Sequence, residues 1–153
     1  TTLRHGFLEA ALVEYLRRFV REHRLGKVAC GEGMVRIQGS EYHARGADLA
    51  FYRRGRFPTD IDAAATATTP DFVVEVLSPS DRVSMVDAKV TDWLRAGVQL
   101  LWYVNPETGV TTVYTRDSIR RVAATDPLDG GDVLPGLQLR LQDLLDELES
   151  EEE

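Results

Sequence analysis

The chain has 153 residues, 43% hydrophobic and 28% charged, with a formal net charge of −7, a balance that fits one globular domain and excludes a uniformly basic nucleic-acid binder. No apolar run approaches the ~20 residues of a membrane-spanning helix, and the opening Thr1-Thr2-Leu3-Arg4-His5 has no apolar signal region, so a cytoplasmic protein is expected. The single cysteine, Cys30, excludes an intrachain disulfide and a cysteine-rich zinc site.

Leu8, Ala11, Leu12, Tyr15, Leu16 and Phe19 recur at helical spacing with charged residues between them, which predicts an amphipathic helix from about Leu3 to His23 that stops near Gly26. Short strands are expected at 27–30, 34–38 and 47–52, punctuated by Gly31, Gly33 and Gly39. Residues 57–69 have little periodicity and read as a loop. Phe72 to Leu77 is apolar enough for a buried strand. It ends at Ser78-Pro79-Ser80-Asp81, where Ser80 or Asp81 is the expected cap of a helix running from about Arg82 to Ala96 and closing at Gly97.

Residues 100–104 and 110–115 flank Asn105-Pro106-Glu107-Thr108-Gly109 and predict a hairpin, with a further strand over 119–123. Leu137, Leu139 and Leu141 alternate with polar residues, and Leu144, Leu145 and Leu148 point to a short terminal helix. The last eight residues hold six acids and no bases, so the body upstream is nearly neutral and can carry a local basic groove. Two arginine clusters stand out, Arg53-Arg54-Arg56 and Arg116-Arg120-Arg121. The expected organisation is a single mixed α/β domain over residues 1–145, its central sheet flanked by helices, followed by an acidic tail at 146–153.

Two acids interrupt apolar strands. Glu75 lies within Phe72-Val73-Val74-Glu75-Val76-Leu77, and Asp48 within Ala47-Asp48-Leu49-Ala50-Phe51-Tyr52. An ionised carboxylate in low dielectric needs a partner. If the strands pair, both carboxylates converge on one point and, with a backbone carbonyl and water, suit magnesium. Lys89 follows in the next helix, where its ammonium can be aimed back at the acids. Asp, Glu, Lys and a metal ion make a phosphodiester-cleaving set. Singly, each residue has a plainer reading: Glu75 as half of an ion pair with an arginine, Asp48 as an edge residue, and Lys89 as a solvated helix lysine.

The stretches ADLAFY, PDFVVEVLSPSDR, DAKVTDWLRAGVQLLWYVNP and LPGLQLRLQDLL, in that order, resemble the Uma-two family of restriction endonucleases within the PD-(D/E)XK nuclease superfamily. The resemblance implies a restriction-endonuclease-like fold. It also implies Asp48 and Glu75 as catalytic metal ligands, the Val76 carbonyl as a third ligand, Lys89 as the catalytic lysine, and magnesium or manganese as the cofactor. The substrate it implies is DNA, cut by a homodimer whose contact surface is either the hairpin or the first helix.

The chain departs from the family pattern at Leu77, where the superfamily's lysine would stand; Lys89 takes that role from the helix. It departs again at Ala47 for proline, at Trp93 for tyrosine and at Asn105 for aspartate. The family's usual N-terminal segment, which often carries an acid near the metal, is expected to be absent. A runner-up reading is a nuclease-fold module that binds nucleic acid, or scaffolds an oligomer, without efficient cleavage. Glu9 is expected to face solvent, with approach to the metal as an accessory acid its alternative reading; Asp71 and Asp87 are expected to serve structure, and Trp93 and Trp102 to pack in the core. His5, His23 and His43 show no ligand spacing, so no histidine metal site is expected.

Overall fold

The computed structural model describes residues 2–40 and 42–150. It opens with α1 (Leu3–Glu22), whose first turn is capped by Thr2: the Thr2 hydroxyl accepts the His5 backbone N–H at 3.2 Å. The strands β1 (Gly26–Cys30), β2 (Met34–Arg36), β3 (Ala44–Gly46), β4 (Leu49–Arg53) and β5 (Phe72–Val76) follow. Then come α2 (Val83–Ala96), β6 (Leu100–Val104), β7 (Thr111–Thr115), β8 (Ile119–Val122), β9 (Pro127–Asp129), β10 (Gln138–Arg140) and α3 (Leu141–Glu149).

Six strands form a central sheet in the order β1-β4-β5-β6-β7-β8. Only β5 and β6 are parallel, because α2 carries the chain back across the sheet between them; the remaining neighbours are antiparallel. The expected mixed α/β architecture is what the structure shows, with two small accessory ladders, β2-β3 and β9-β10.

The sheet buries both faces. On one side Leu8, Leu12, Leu16 and Val20 of α1, with Leu141 and Leu144 of α3, pack against Leu49, Phe51, Phe72, Val74, Trp102 and Val104. On the other, Val90 and Trp93 of α2 and Val35 and Ile37 around β2 cover Ala50, Val73, Leu101 and Tyr103. Central strands covered on both faces read as continuous apolar runs, which is why a lone acid in β5 stands out. Trp93 and Trp102 are both fully buried, and Trp102 meets Phe72 edge to face at 4.8 Å between centroids, so the packing reading of both tryptophans holds.

Several local expectations shift. Gly26 does not stop the first helix; His23 caps it and Gly26 opens β1, where a Cβ would lie 2.0 Å from the Tyr52 carbonyl oxygen. The helix after β5 begins behind Arg82 with no side-chain cap, and Asp81 instead accepts the Ser78 N–H at 2.8 Å. Gly97 closes that helix as expected, in the left-handed conformation that favours glycine. Residues 57–69 form the expected loop, and hydrogen bonds pin it. Thr66 bridges to β2 through Arg36 N–H (2.8 Å) and the Met34 carbonyl (2.9 Å), and Asp60 holds Thr66 and Ala67. At the C-terminal end α3 runs through Glu149 with Leu148 packed against the core, so a boundary at 146 falls inside a helix; residues 151–153 lie outside the described ones.

Candidate active site

The register Leu49↔Val74 sets Asp48, one residue before β4, beside Glu75 in β5. Each carboxylate reaches across to the other's strand. Asp48 N–H donates to Glu75 Oε1 at 2.9 Å, and Val76 N–H donates to Asp48 Oδ2 at 2.7 Å. Both acids therefore lie on one face, at the end of the two strands, and both are buried. Lys89, in the first half of α2, extends back over that face and pairs with Glu75 Oε2. The structure thus brings Asp48, Glu75 and Lys89 together, and the solvated reading of Lys89 is excluded by its pairing. Burial pushes the Glu75 carboxyl up to about 7, and the nearby Lys89 charge only partly offsets this.

The three residues open into a cleft of about 240 Å³ that Arg45, Tyr103, Met85 and Ser78 also line. Arg45, in β3, is held by Asp92 of α2 through Nε at 2.7 Å, while Ser40 donates to the same Asp92 oxygen and the Tyr42 ring lies 4.3 Å from the guanidinium carbon. Burial alone would raise the Asp92 carboxyl; the hydrogen bonds from Ser40 and Arg45 hold it below its ordinary value. A larger cleft, about 400 Å³, lies beside β1 and the 57–69 loop, lined mainly by apolar side chains such as Val28, Met34, Phe57 and Ile61. It reaches β4 at Ala47 and Ala50, but none of Asp48, Glu75 and Lys89 lines it. Asp71 serves structure: it accepts the Arg53 N–H at 2.7 Å and pairs with Arg56. Asp87 is exposed.

Two residues at the site overturn their expectations. His5 and Glu9 are four apart on α1, so they share a helix face, and the first turn of α1 brings that face to the ends of β4 and β5. His5 Nε2 donates to the Val76 carbonyl at 2.8 Å and lies 3.5 Å from Asp48 Oδ2, while Nδ1 stands 3.6 Å from Glu9 Oε2. His5, Glu9 and Asp48 each offer one ligand atom within 4.8 Å of the others, a cation-sized cluster. Glu9 is half-buried rather than solvated; burial first, then the Asp48 carboxylate, raise its carboxyl above the ordinary value. The i,i+4 His–Glu spacing in an otherwise apolar face was the available signal.

The donor set fits a divalent cation. Carboxylates from Asp48, Glu75 and Glu9 and the Val76 carbonyl are hard oxygen donors, and an excess of buried acids over the one lysine leaves negative charge to be met.

A model of the Uma2 family, described as "Putative restriction endonuclease", matches residues 1–142. Among solved structures the chain is similar to a protein of Anabaena variabilis described as "a putative nuclease belonging to DUF820". The TM-score is 0.84 and the identity 19%, over 97% of this chain and 83% of that one, a likeness of fold. No curated protein matches the chain.

Proposed function

The chain belongs to the Uma2 family, and from that premise we propose that it is a metal-dependent endonuclease that hydrolyses DNA phosphodiester bonds. The observation that carries this reading is the convergence of Asp48, Glu75 and Lys89, from three separate elements, on one cleft. Asp48 and Glu75 are the acids that hold magnesium, or manganese in its place, with the Val76 carbonyl available beside them. A bound divalent cation supplies Lewis-acid polarisation of the phosphate and acidifies water. Asp48 is fixed for this work by the Val76 N–H, and Glu75 by the Asp48 N–H, so neither has to reorganise when substrate arrives. Lys89, which shares a hydrogen bond with Glu75, orients the attacking water or steadies the charge that builds on the phosphate. Arg45, locked at the cleft wall by Asp92, whose carboxylate Ser40 in turn holds, supplies a fixed cation for a backbone phosphate.

Supercoiled and linear DNA incubated with the protein in magnesium, manganese or chelator tests the reading. Cleavage in either metal and none in chelator is expected; no cleavage under any of the three conditions refutes it. We further propose that cleavage of both strands is the work of a homodimer. The two surfaces expected for that contact are used internally, since α1 spends its apolar stripe on the core and the β6-β7 hairpin lies inside the sheet. Sedimentation equilibrium at micromolar concentration is expected to give twice the chain mass, and a monomer alone refutes the dimer.

A further inference from the structure

A second charged surface lies at the end of the sheet away from the cleft. Asp48 precedes β4 and Arg53 ends it, so the two stand ~17 Å apart along the strand at about 3.3 Å per residue. Around that far end two adjoining hollows share Arg24, Gly26 and Lys27. Arg53 and Arg54, at the end of β4, line the first; Arg17 and Arg21, in the last two turns of α1, line the second. Six cations from α1 and the turn after it, from β1 and from β4 thus make one surface, and among the described residues no acid lines either hollow.

None of the six is matched by a carboxylate. Arg18 is taken by Glu14 and Arg56 by Asp71, whereas Arg17, Arg21, Arg24, Lys27, Arg53 and Arg54 form no salt bridge among the described residues. Arg53 is half-buried and the other five are exposed. The dipole of α1 accounts for a cation at Arg21, in its last turn. It accounts for none in the strands, and Arg17 and Arg21 are four apart on the helix, where like charges repel. Self-repulsion of this kind is relieved by an anion from outside. Lys27 is steadied over the hollow by the Phe57 ring, whose centroid lies 4.5 Å from Nζ.

We propose that this surface grips the phosphate backbone of duplex DNA, without regard to sequence and without metal, at a site separate from the catalytic cleft. Five of the six cations are arginines, whose planar fork matches phosphate oxygens. Contacts to phosphates position a duplex but do not read its bases. The cleft has the opposite character: Glu32, Asp48, Glu75 and Asp81 line it against Arg45 and Lys89, so without a bound cation it repels a polyanion. The net charge of −7 conceals this division between the two ends of the sheet. An anionic bilayer fits the surface less well, because Phe57 is the one large exposed apolar side chain lining the hollows and supplies little to insert.

The chain has only two lysines, Lys27 on this surface and Lys89 in the cleft, so each reports on one site. The unaltered protein is acetylated in chelator with and without a duplex of about 20 base pairs at low salt, where phosphate contacts are tightest. Mass spectrometry reads the rate at each lysine. Acetylation of Lys27 is expected to slow at least ~5-fold and that of Lys89 less than about 2-fold, since only the first is covered by phosphates. An unchanged Lys27 rate overturns the proposal, as does protection of Lys89 equal to that of Lys27.

Fluorescence anisotropy in chelator gives the salt dependence. Each neutralised phosphate contributes about −0.9 to the slope of log affinity against log salt, so four to six contacts give roughly −4 to −5. Joint replacement Arg21→Ala, Lys27→Ala and Arg54→Ala removes three exposed, unpaired cations and is expected to make that slope shallower by about 2 to 3 and to weaken binding at least ~10-fold at low salt. Equal binding by this variant overturns the proposal, and so does no duplex binding by the parent. Binding of phosphatidylserine vesicles in place of the duplex makes the surface a membrane contact and overturns it too. The acetylation measurement uses the unaltered protein, so it decides the matter even if the triple variant does not fold. A protein that protects Lys27 with DNA but cuts none refutes the nuclease reading and leaves this one standing. A protein that cuts DNA with Lys27 unprotected does the reverse.

Discussion

Replacing Lys89 by alanine separates chemistry from folding, and the geometry fixes how large each effect should be. The Glu75 side chain is 3% exposed and that of Lys89 25%. Without the ammonium, Glu75 keeps the Asp48 N–H on Oε1. Leaving one member of a buried pair unmatched ordinarily costs about 3–5 kcal/mol. Two things reduce that figure here: Lys89 is partly hydrated to begin with, and Glu75 can escape by taking up a proton. A loss of about 1–3 kcal/mol at pH 8 is therefore expected in the metal-free protein.

The sign of the pH dependence follows from the raised carboxyl. Glu75 in the folded parent titrates at about 7 against an ordinary value of 4.5, so the folded state binds its proton more tightly than the unfolded state. Stability from this group is then greatest below the ordinary value and falls as pH rises through about 7. Removing Lys89 moves the carboxyl higher still and extends the fall above neutrality. At pH 5 the carboxyl is protonated in both folded proteins, and the difference between them should shrink below about 0.5 kcal/mol. A saturating divalent cation should restore the variant, because it supplies the missing charge; at a hundredfold excess over Kd the stabilisation is about 2.7 kcal/mol.

Urea unfolding at pH 5 and pH 8, with and without manganese, measures these terms. Plasmid cleavage at saturating metal measures the rest, with a loss of roughly 10²-fold or more expected for a water-orienting or charge-stabilising group. Equal cleavage by the variant and the parent would sink the catalytic role. An unchanged urea midpoint at pH 8 without metal would sink the account of the buried pair.

Asp48→Asn should retain the fold, since its amide oxygen can still accept the Val76 N–H, while cation affinity drops by about 10-fold or more through loss of a charged ligand; calorimetry alongside circular dichroism checks both halves. Asp92→Ala should cost about 2–4 kcal/mol in urea unfolding, because it strands Arg45 and Ser40 at a mostly buried site. The Asp92 carboxyl sits below its ordinary value in the folded protein, so its contribution is full above the ordinary carboxylate range and is lost as pH falls through the lower folded value. The gap between parent and Asp92→Ala should accordingly close in acid, and a gap that widens there contradicts the assignment.

Features carried by short-range pattern were readable from the residues alone. Glu75 and Asp48 declared themselves because an acid in a fully covered strand has few physical reasons to be there, and the Asn105–Gly109 turn and Gly97 stop are set by local backbone preference. Lys89 was legible only in part: a helix that returns across the strand ends can aim a lysine at them, but the residue alone reads as a solvated helix lysine, and the family resemblance singled it out. What escaped were relations between elements far apart in the chain. His5 reaches Val76 across 71 positions and Arg45 reaches Asp92 across 47. Periodicity told which face of α1 is apolar, but not which end of that face would meet the carboxylates; that depends on how Leu8, Leu12, Leu16 and Val20 seat the helix on the sheet. The three-residue strands β3 and β9 were invisible for the same reason, since each exists only because a partner strand, not its own sequence, completes its hydrogen bonds. The local sequence determined the two acids, whereas tertiary packing decided that a histidine and a third acid stand beside them.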